Sequence, residues 1–322
     1  MANLHIPSIA DVIGANKIVS PMIHKTPIRQ YPELCDLLDA DVWVKHENFQ
    51  ILGSFKVRGG IYLAHKVVEE HDINGFITAS TGNHGQSIAF AAKISGIPSK
   101  VVVPMKANPA KVSSMISLGA DVIHHGNTFD ESLEFAESLS KKEKNFRFVH
   151  PANEPYLITG VATYSLEIHE NINNVDYLFA PVGAGSGAAG ASIVSEVISP
   201  KTKVIGSQSE SSPAAYMAWK TGKFSGVVYS NKTKAEGLAT GHAYEYPINI
   251  LQQKLNDFLL VSDQEIENSV LSLLKTTRSL VEHAGAATLA AALKLKKEIK
   301  GKRVVLVLSG SNITLDQLRK LL

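Results

Sequence analysis

The chain's strongest constraint on its own fold is an alternation. Short apolar runs recur, and a segment of helical periodicity separates each from the next. Such runs are Phe76-Ile77-Thr78-Ala79, Lys100-Val101-Val102-Val103-Pro104, Asp121-Val122-Ile123-His124, Phe146-Arg147-Phe148-Val149, residues 175–181, Lys203-Val204-Ile205-Gly206 and Val304-Val305-Leu306-Val307-Leu308. Strands apolar on both sides must be covered on both faces, and strands that alternate with helices pair in parallel. The predicted class is therefore α/β, with mostly parallel sheets covered by helices and right-handed crossovers. Residues 41–46 alternate as a strand does. Helices are predicted over 8–19, after Pro32, from Lys56 to about Glu70, up to Ile94, over 109–118, 129–143 and 155–170, up to Val197, near 213–221, 247–254 and 263–278, over 286–298, and from Thr314. In the first of them Ile9, Val12, Ile13 and Ile18 form the expected buried set.

Composition excludes several classes of function. Lys+Arg 32 against Asp+Glu 30 leaves a net charge of +2, which favours neither a nucleic-acid nor a membrane partner. The first seven residues lack the basic-then-apolar profile of a signal peptide, and no apolar run approaches the ~18 residues that cross a bilayer. The single cysteine, Cys35, lies in a helical pattern and reads as a buried thiol; no intrachain disulfide can form. These features predict a cytoplasmic protein.

Chemistry is concentrated in four stretches. In Gly53-Ser54-Phe55-Lys56-Val57-Arg58-Gly59, Lys56 opens a helical run. A lysine amine that is neutral part of the time can condense with an aldehyde. Burial and a nearby positive charge, for which Arg58 is the nearest candidate in sequence, would lower its pKa. The other three stretches stand at strand ends, where ligands of open α/β sheets bind. Ser80-Thr81-Gly82-Asn83-His84-Gly85-Gln86 offers hydroxyls, an amide and backbone N–H groups at a helix start, suited to a substrate carboxylate, although an ordinary N-cap turn reads similarly. Pro181-Val182-Gly183-Ala184-Gly185-Ser186-Gly187-Ala188-Ala189-Gly190 can surround a phosphate with backbone amides. Its Gly185, Gly187 and Gly190 also fit the G-x-G-x-x-G spacing. A dinucleotide would then want an acid about 20 residues on, and Glu210 falls late, so a dinucleotide-dependent dehydrogenase is the alternative from another class. After the last strand, Ser309-Gly310-Ser311-Asn312 is either a simple turn or a serine facing a ring nitrogen. Lysine, phosphate loop, carboxylate loop and serine together point to pyridoxal phosphate.

On these motifs, and on Ala235-Glu236-Gly237-Leu238-Ala239, the sequence resembles the fold-type II pyridoxal-phosphate enzymes over nearly its whole length, most of all their serine/threonine dehydratase (ammonia-lyase) and serine racemase branch. The resemblance implies a two-domain fold like that of the tryptophan synthase β chain. Residues 1–47 and 147–322 would form a large cofactor domain, and 48–146 a small inserted domain that closes on an amino-acid substrate. It implies a homodimer or homotetramer. Lys56 would carry the cofactor and remove the substrate's α-proton, with Phe55 beside the ring. Asn83 would hydrogen-bond the ring oxygen. Ser80, Thr81, Asn83 and His84 would hold the carboxylate. Gly183, Ala184, Gly185, Ser186 and Gly187 would hold the phosphate, Gly237 would lie near the ring, and Ser309 would face its nitrogen. The implied reaction is dehydration and deamination of L-threonine, L-serine or a related 3-hydroxy amino acid. The alternatives within the fold are racemisation and β-replacement of the cysteine-synthase type.

Departures from the family pattern sharpen this. Ala184 and Ser186 interrupt the usual glycines but are small. Thr81 stands where serine racemases place a second acid/base serine, which argues against racemisation. At the divalent-metal position of several relatives the chain has Gln208 and Ala214, poor ligands for a hard cation, so no metal is expected. Glu282-His283-Ala284-Gly285-Ala286 departs from the Glu-Pro or Glu-Gly of many relatives. The chain stops soon after Ser309, so the C-terminal regulatory domain of biosynthetic threonine dehydratases is not expected.

Overall fold

The computed structural model describes residues 5–224 and 228–322. The chain opens with α1 (Ile9–Val19), whose start is fixed by a capping box: the Ser8 hydroxyl accepts from Asp11 N–H and the Asp11 carboxylate accepts from Ser8 N–H. Val12, Ala15 and Val19 form its buried stripe. Ile13 lies outside that stripe and is 47% exposed, contrary to expectation, while Ile9 and Ile18 are half-buried.

The strands, in order, are β1 (Ile28–Gln30), β2 (Asp41–Lys45), β3 (Gly75–Ala79), β4 (Ser99–Val103), β5 (Asp121–His124), β6 (Phe146–Phe148), β7 (Tyr177–Pro181), β8 (Lys203–Ser209), β9 (Asp257–Val261) and β10 (Arg303–Val307). They make two sheets. One has the order β1-β2-β10-β7-β8-β9 and the other β5-β4-β3-β6. All pairings are parallel except that of β1 with β2. The two outer strands of the six-stranded sheet, β1 and β9, are additions to the expected set. Ile28-Arg29-Gln30 has one apolar residue and no pattern to read. Asp257-Phe258-Leu259-Leu260-Val261 is an apolar run that the sequence does display.

Helices cover both sheets. After α1 come α2 (Pro32–Leu38), α3 (Lys56–Glu70), α4 (Asn83–Ile94), α5 (Pro109–Ser117), α6 (Phe129–Lys142), α7 (Pro155–Asn171), α8 (Ser186–Ile198), α9 (Ala214–Thr221), α10 (Glu245–Lys254) and α11 (Asp263–Thr277). The helix expected over 286–298 is two: α12 (His283–Lys294) and the short α13 (Lys296–Ile299). The chain closes with α14 (Leu315–Leu321). Strand β10 shows why the sheets need two covers. Val305 and Val307 belong to the core formed with α1, α7, α8 and α10, while Val304 and Leu306 belong to the core formed with α2, α11 and α12. No described helix is long and apolar enough to cross a membrane.

A buried ion cluster ties α3 to α7 and to the end of β2. The Arg58 guanidinium on α3 donates to Glu47 at 2.8 Å and to Glu167 on α7 at 2.8 Å. Lys45, at the end of β2, joins it through Glu167, and Thr26 Oγ1 donates to Glu47 at 2.6 Å. Next to it α3 and α7 approach backbone to backbone. A Cβ on Gly160 would stand 2.5 Å from the Arg58 carbonyl oxygen, so only glycine fits. This clamp fixes the first turn of α3, and with it Lys56.

Candidate active site

Between the two sheets lies a cleft of ≈ 720 Å³. Every residue given a site role from sequence lines it: Phe55, Lys56, Ser80, Thr81, Asn83, His84, residues 183–187, Gly237 and Ser309.

Lys56 is the first residue of α3. The loop before it is stapled to the turn after β10: Phe55 N–H donates to the Ser309 carbonyl at 3.1 Å, and Ser54 pairs with Gly310 in an antiparallel bridge. Backbone geometry thus brings lysine and serine together from opposite ends of the sequence. Lys56 Nζ donates to Ser186 Oγ at 2.9 Å. Burial alone pulls the Lys56 pKa down to about 8. The expected contribution of Arg58 is corrected, because that guanidinium is spent on Glu47 and Glu167 and is not among the causes of the shift. Covalent capture of pyridoxal phosphate by the apoprotein needs the neutral amine. Its rate, followed by absorbance, should rise with pH and level off above about 8. A rate still climbing towards the ordinary lysine range would show the amine to be unperturbed.

The loop 183–187 runs into the N-terminus of α8, with Gly185 at φ +106°. Among the described residues, no backbone carbonyl accepts from the N–H groups of residues 183–188. A row of free donors at a helix start is a seat for an anion. Gly183 is required by a close approach, since a Cβ there would lie 2.2 Å from the Gly237 carbonyl oxygen. Gly190, by contrast, faces a neighbouring helix: a Cβ there would be 2.8 Å from Ala162 Cα on α7. The third glycine of the dinucleotide spacing therefore serves helix packing.

Across the cleft, Ser80 directly follows β3 and α4 begins at Asn83 behind Gly82. Ser80 Oγ accepts from Gly82 N–H at 3.1 Å. The His84 imidazole has a fixed proton arrangement. Thr78 Oγ1 donates to the Val149 carbonyl at 2.8 Å, so toward His84 Nε2, 2.9 Å away, it can only accept. Nε2 thus carries the proton and Nδ1 is a bare lone pair, buried and unpartnered. Burial holds the imidazole neutral, with its pKa near 3. The backbone N–H of His84 lies in the first turn of α4.

Sequence reasoning missed several cleft residues. Glu282, the N-cap of α12, is buried, and burial raises its pKa despite the nearby charge of Lys111. Lys111 is also buried. It forms an ion pair with Glu236, and Glu236 also accepts from Gln317 Nε2 at 2.8 Å. The cue for Glu282 was a lone acid in an apolar stretch. Lys111 and Glu236 are 125 residues apart and carried no common pattern. Gln208 Oε1 accepts from Tyr216 N–H at 3.0 Å. Among the described residues no group of three or more His, Cys, Asp or Glu could hold a metal ion.

A half-buried lysine facing an anion loop, between two mainly parallel sheets with a neutral serine at the last strand end, defines a class: lysine-dependent enzymes of pyridoxal phosphate. The chain belongs to the pyridoxal-phosphate dependent enzyme family, whose model matches residues 19–310. It is 33% identical to the L-threonine ammonia-lyase of Thermotoga maritima over 98% of this chain and 78% of that one. It is 30% identical to the serine racemase of Schizosaccharomyces pombe over 98% and 97%. The structure of the processed form of threonine deaminase isoform 2 from Solanum lycopersicum superposes with a TM-score of 0.90 at 28% identity, covering 97% of this chain and 91% of that one. The dinucleotide alternative gives way to this family. The residues present also fit the cofactor, because a low-pKa amine and a row of free N–H donors face one cleft.

Proposed function

We propose that the protein catalyses α,β-elimination of L-threonine, L-serine or a related 3-hydroxy amino acid, releasing a 2-oxo acid and ammonia. The observation that carries this reading is the position of Lys56, whose amine lies 2.9 Å from Ser186 of the anion loop in a cleft shared with the 80–84 loop. Bound at these residues, pyridoxal phosphate supplies the electron sink that makes the substrate's α-C–H acidic. The free N–H groups of 183–187 seat the phosphate. Ser80, Thr81 and the backbone N–H groups at the start of α4 hold the substrate carboxylate and set its α-carbon toward Lys56. Lys56, neutral above about pH 8, takes the α-proton. Phe55 and Gly237 would flank the ring, and Asn83 would donate to its oxygen. Ser309 is a neutral hydroxyl and leaves the ring nitrogen without a carboxylate to protonate it, which suits prompt loss of a β-substituent. The water lost with the β-hydroxyl is regained in hydrolysis, so the net products are one 2-oxo acid and one ammonia.

Likeness to the T. maritima L-threonine ammonia-lyase supports elimination. Likeness to the S. pombe serine racemase supports racemisation as the second reading. Thr81 weighs against the latter, because its secondary hydroxyl replaces the serine expected of a second acid/base. A panel of L- and D-3-hydroxy amino acids separates them. The expected result is 2-oxo acid from L-threonine and L-serine with little D-serine formed. Rapid D-serine formation without 2-oxo acid would reverse the order. The same reading takes 48–146 as a domain closing on substrate, supported by the carboxylate loop following a strand of the four-stranded sheet while the anion loop follows one of the six-stranded sheet. A cytoplasmic homodimer or homotetramer completes it, supported by the family resemblance.

A further inference from the structure

Asn83, Glu282 and Asn312 form a hydrogen-bonded chain whose direction can be read from one end. That end is the Leu52 carbonyl, which can only accept. Asn312 Nδ2 donates to it at 2.9 Å and gives its second proton to Asn83 Oδ1 at 2.7 Å. With its oxygen so engaged, Asn83 must turn its nitrogen to Glu282, and Nδ2 donates to Glu282 Oε1 at 2.8 Å. The inverted amide would set nitrogen against nitrogen. One N–H of Asn83 is left over, on a residue that lines the cleft with Lys56.

We propose that Glu282 and Asn312 are positioning residues for cofactor binding, which lock the Asn83 amide so that its remaining N–H is presented to the oxygen on the pyridoxal ring. The proposal rests on the reading of Asn83 given above. The three residues come from separate places: the first position of α4, the N-cap of α12 and the turn after β10. Glu282 is buried without an ion pair among the described residues, a costly arrangement unless the carboxyl has a partner to hold. Its place is built for it. A Cβ on Gly310 would stand 2.4 Å from Oε1, so the turn must be glycine there to admit the carboxyl. Ionised or protonated on its other oxygen, Glu282 still accepts from Asn83.

The test is titration of apoproteins with pyridoxal phosphate, read by dissociation constant and absorption spectrum, with thermal melts of the apoproteins as a check on folding. Glu282→Ala should weaken binding about tenfold, the loss of one hydrogen bond's constraint, and shift the spectrum. Glu282→Gln should stay within about twofold, because the glutamine oxygen accepts the same proton. Asn312→Asp, which has no proton for Leu52 O or Asn83 Oδ1, should weaken binding at least as much as Glu282→Ala. Wild-type affinity and spectrum in Glu282→Ala, or a loss in Glu282→Gln equal to that in Glu282→Ala, overturns the proposal. If Glu282→Ala does not fold, the other two variants decide: retention in Glu282→Gln with loss in Asn312→Asp upholds it, and the reverse overturns it. Asn83→Ala separates the layers. An unchanged Asn83→Ala removes the underlying reading, whereas a weakened Asn83→Ala beside an unchanged Glu282→Ala removes only this inference.

Discussion

Lys56→Ala, loaded with pyridoxal phosphate, should release 2-oxo acid from L-threonine at least about a thousandfold more slowly than the wild type. Loss of a positioned general base costs about 10²–10⁴ in rate, and here the same side chain also anchors the cofactor. Two nearby nitrogen bases are unable to substitute. His84 is neutral with its lone pair buried, and Arg58 is held by two carboxylates. Lys56→Arg should be as slow, because a guanidinium does not give up its proton near neutral pH. Borohydride should fix the cofactor in the wild type and in neither variant. A Lys56→Ala enzyme within tenfold of wild type would show that another group removes the α-proton.

The largest effect on stability is expected at Arg58. Arg58→Met leaves Glu47 and Glu167 buried with only Lys45 to offset them. Removing one member of a buried ion cluster costs about 3–5 kcal/mol, enough to lower the melting temperature by roughly 4–7 °C in a chain of this size. The pH dependence has a definite sign. In the wild type, burial works to raise the Glu47 pKa, but the Arg58 and Lys45 charges outweigh it and hold Glu47 below its ordinary value. Its stabilisation is therefore present above the ordinary carboxylate range and is lost as pH falls through the depressed value. Without Arg58, burial dominates and Glu47 takes up a proton more readily. The stability gap between wild type and variant should narrow as pH is lowered from neutral. A gap that stays constant with pH would assign Arg58 a packing role alone.

Much of this was legible in the sequence because it is local. Apolar runs of both-face-buried strands gave β3, β4, β7, β8 and β10, and glycine-bearing strand ends marked where the cleft would form. The cleft brings together the residues given site roles at those ends. Three kinds of fact were out of reach. The edge strand β1 has too few apolar residues to show a period. The phase of α1 depends on its neighbours, so Ile13 faces outward while Ala15, the weaker hydrophobe, is buried. The third kind is pairing across distance. Nothing near Arg58 in sequence tells that its charge is satisfied by Glu167, 109 residues away, and not shared with Lys56 two residues before it. Glu282 and Asn83 are 199 residues apart, and their contact exists only once both sheets have formed.

The place of β10 sets the order in which the molecule can be assembled. It is the last strand in sequence, yet it lies between β2 and β7 inside the six-stranded sheet. Until residues 303–307 arrive, β2 has no parallel neighbour and the sheet is divided. The four-stranded sheet, drawn from one continuous stretch, bears no such delay. On a ribosome, then, the sheet that carries the 80–84 loop can settle early, whereas the sheet that carries the 183–187 loop waits for nearly the whole chain. A nascent chain stalled before β10 would have its lysine and its anion loop already synthesised but no serine turn to staple the loop before the lysine, and so no finished seat for the cofactor.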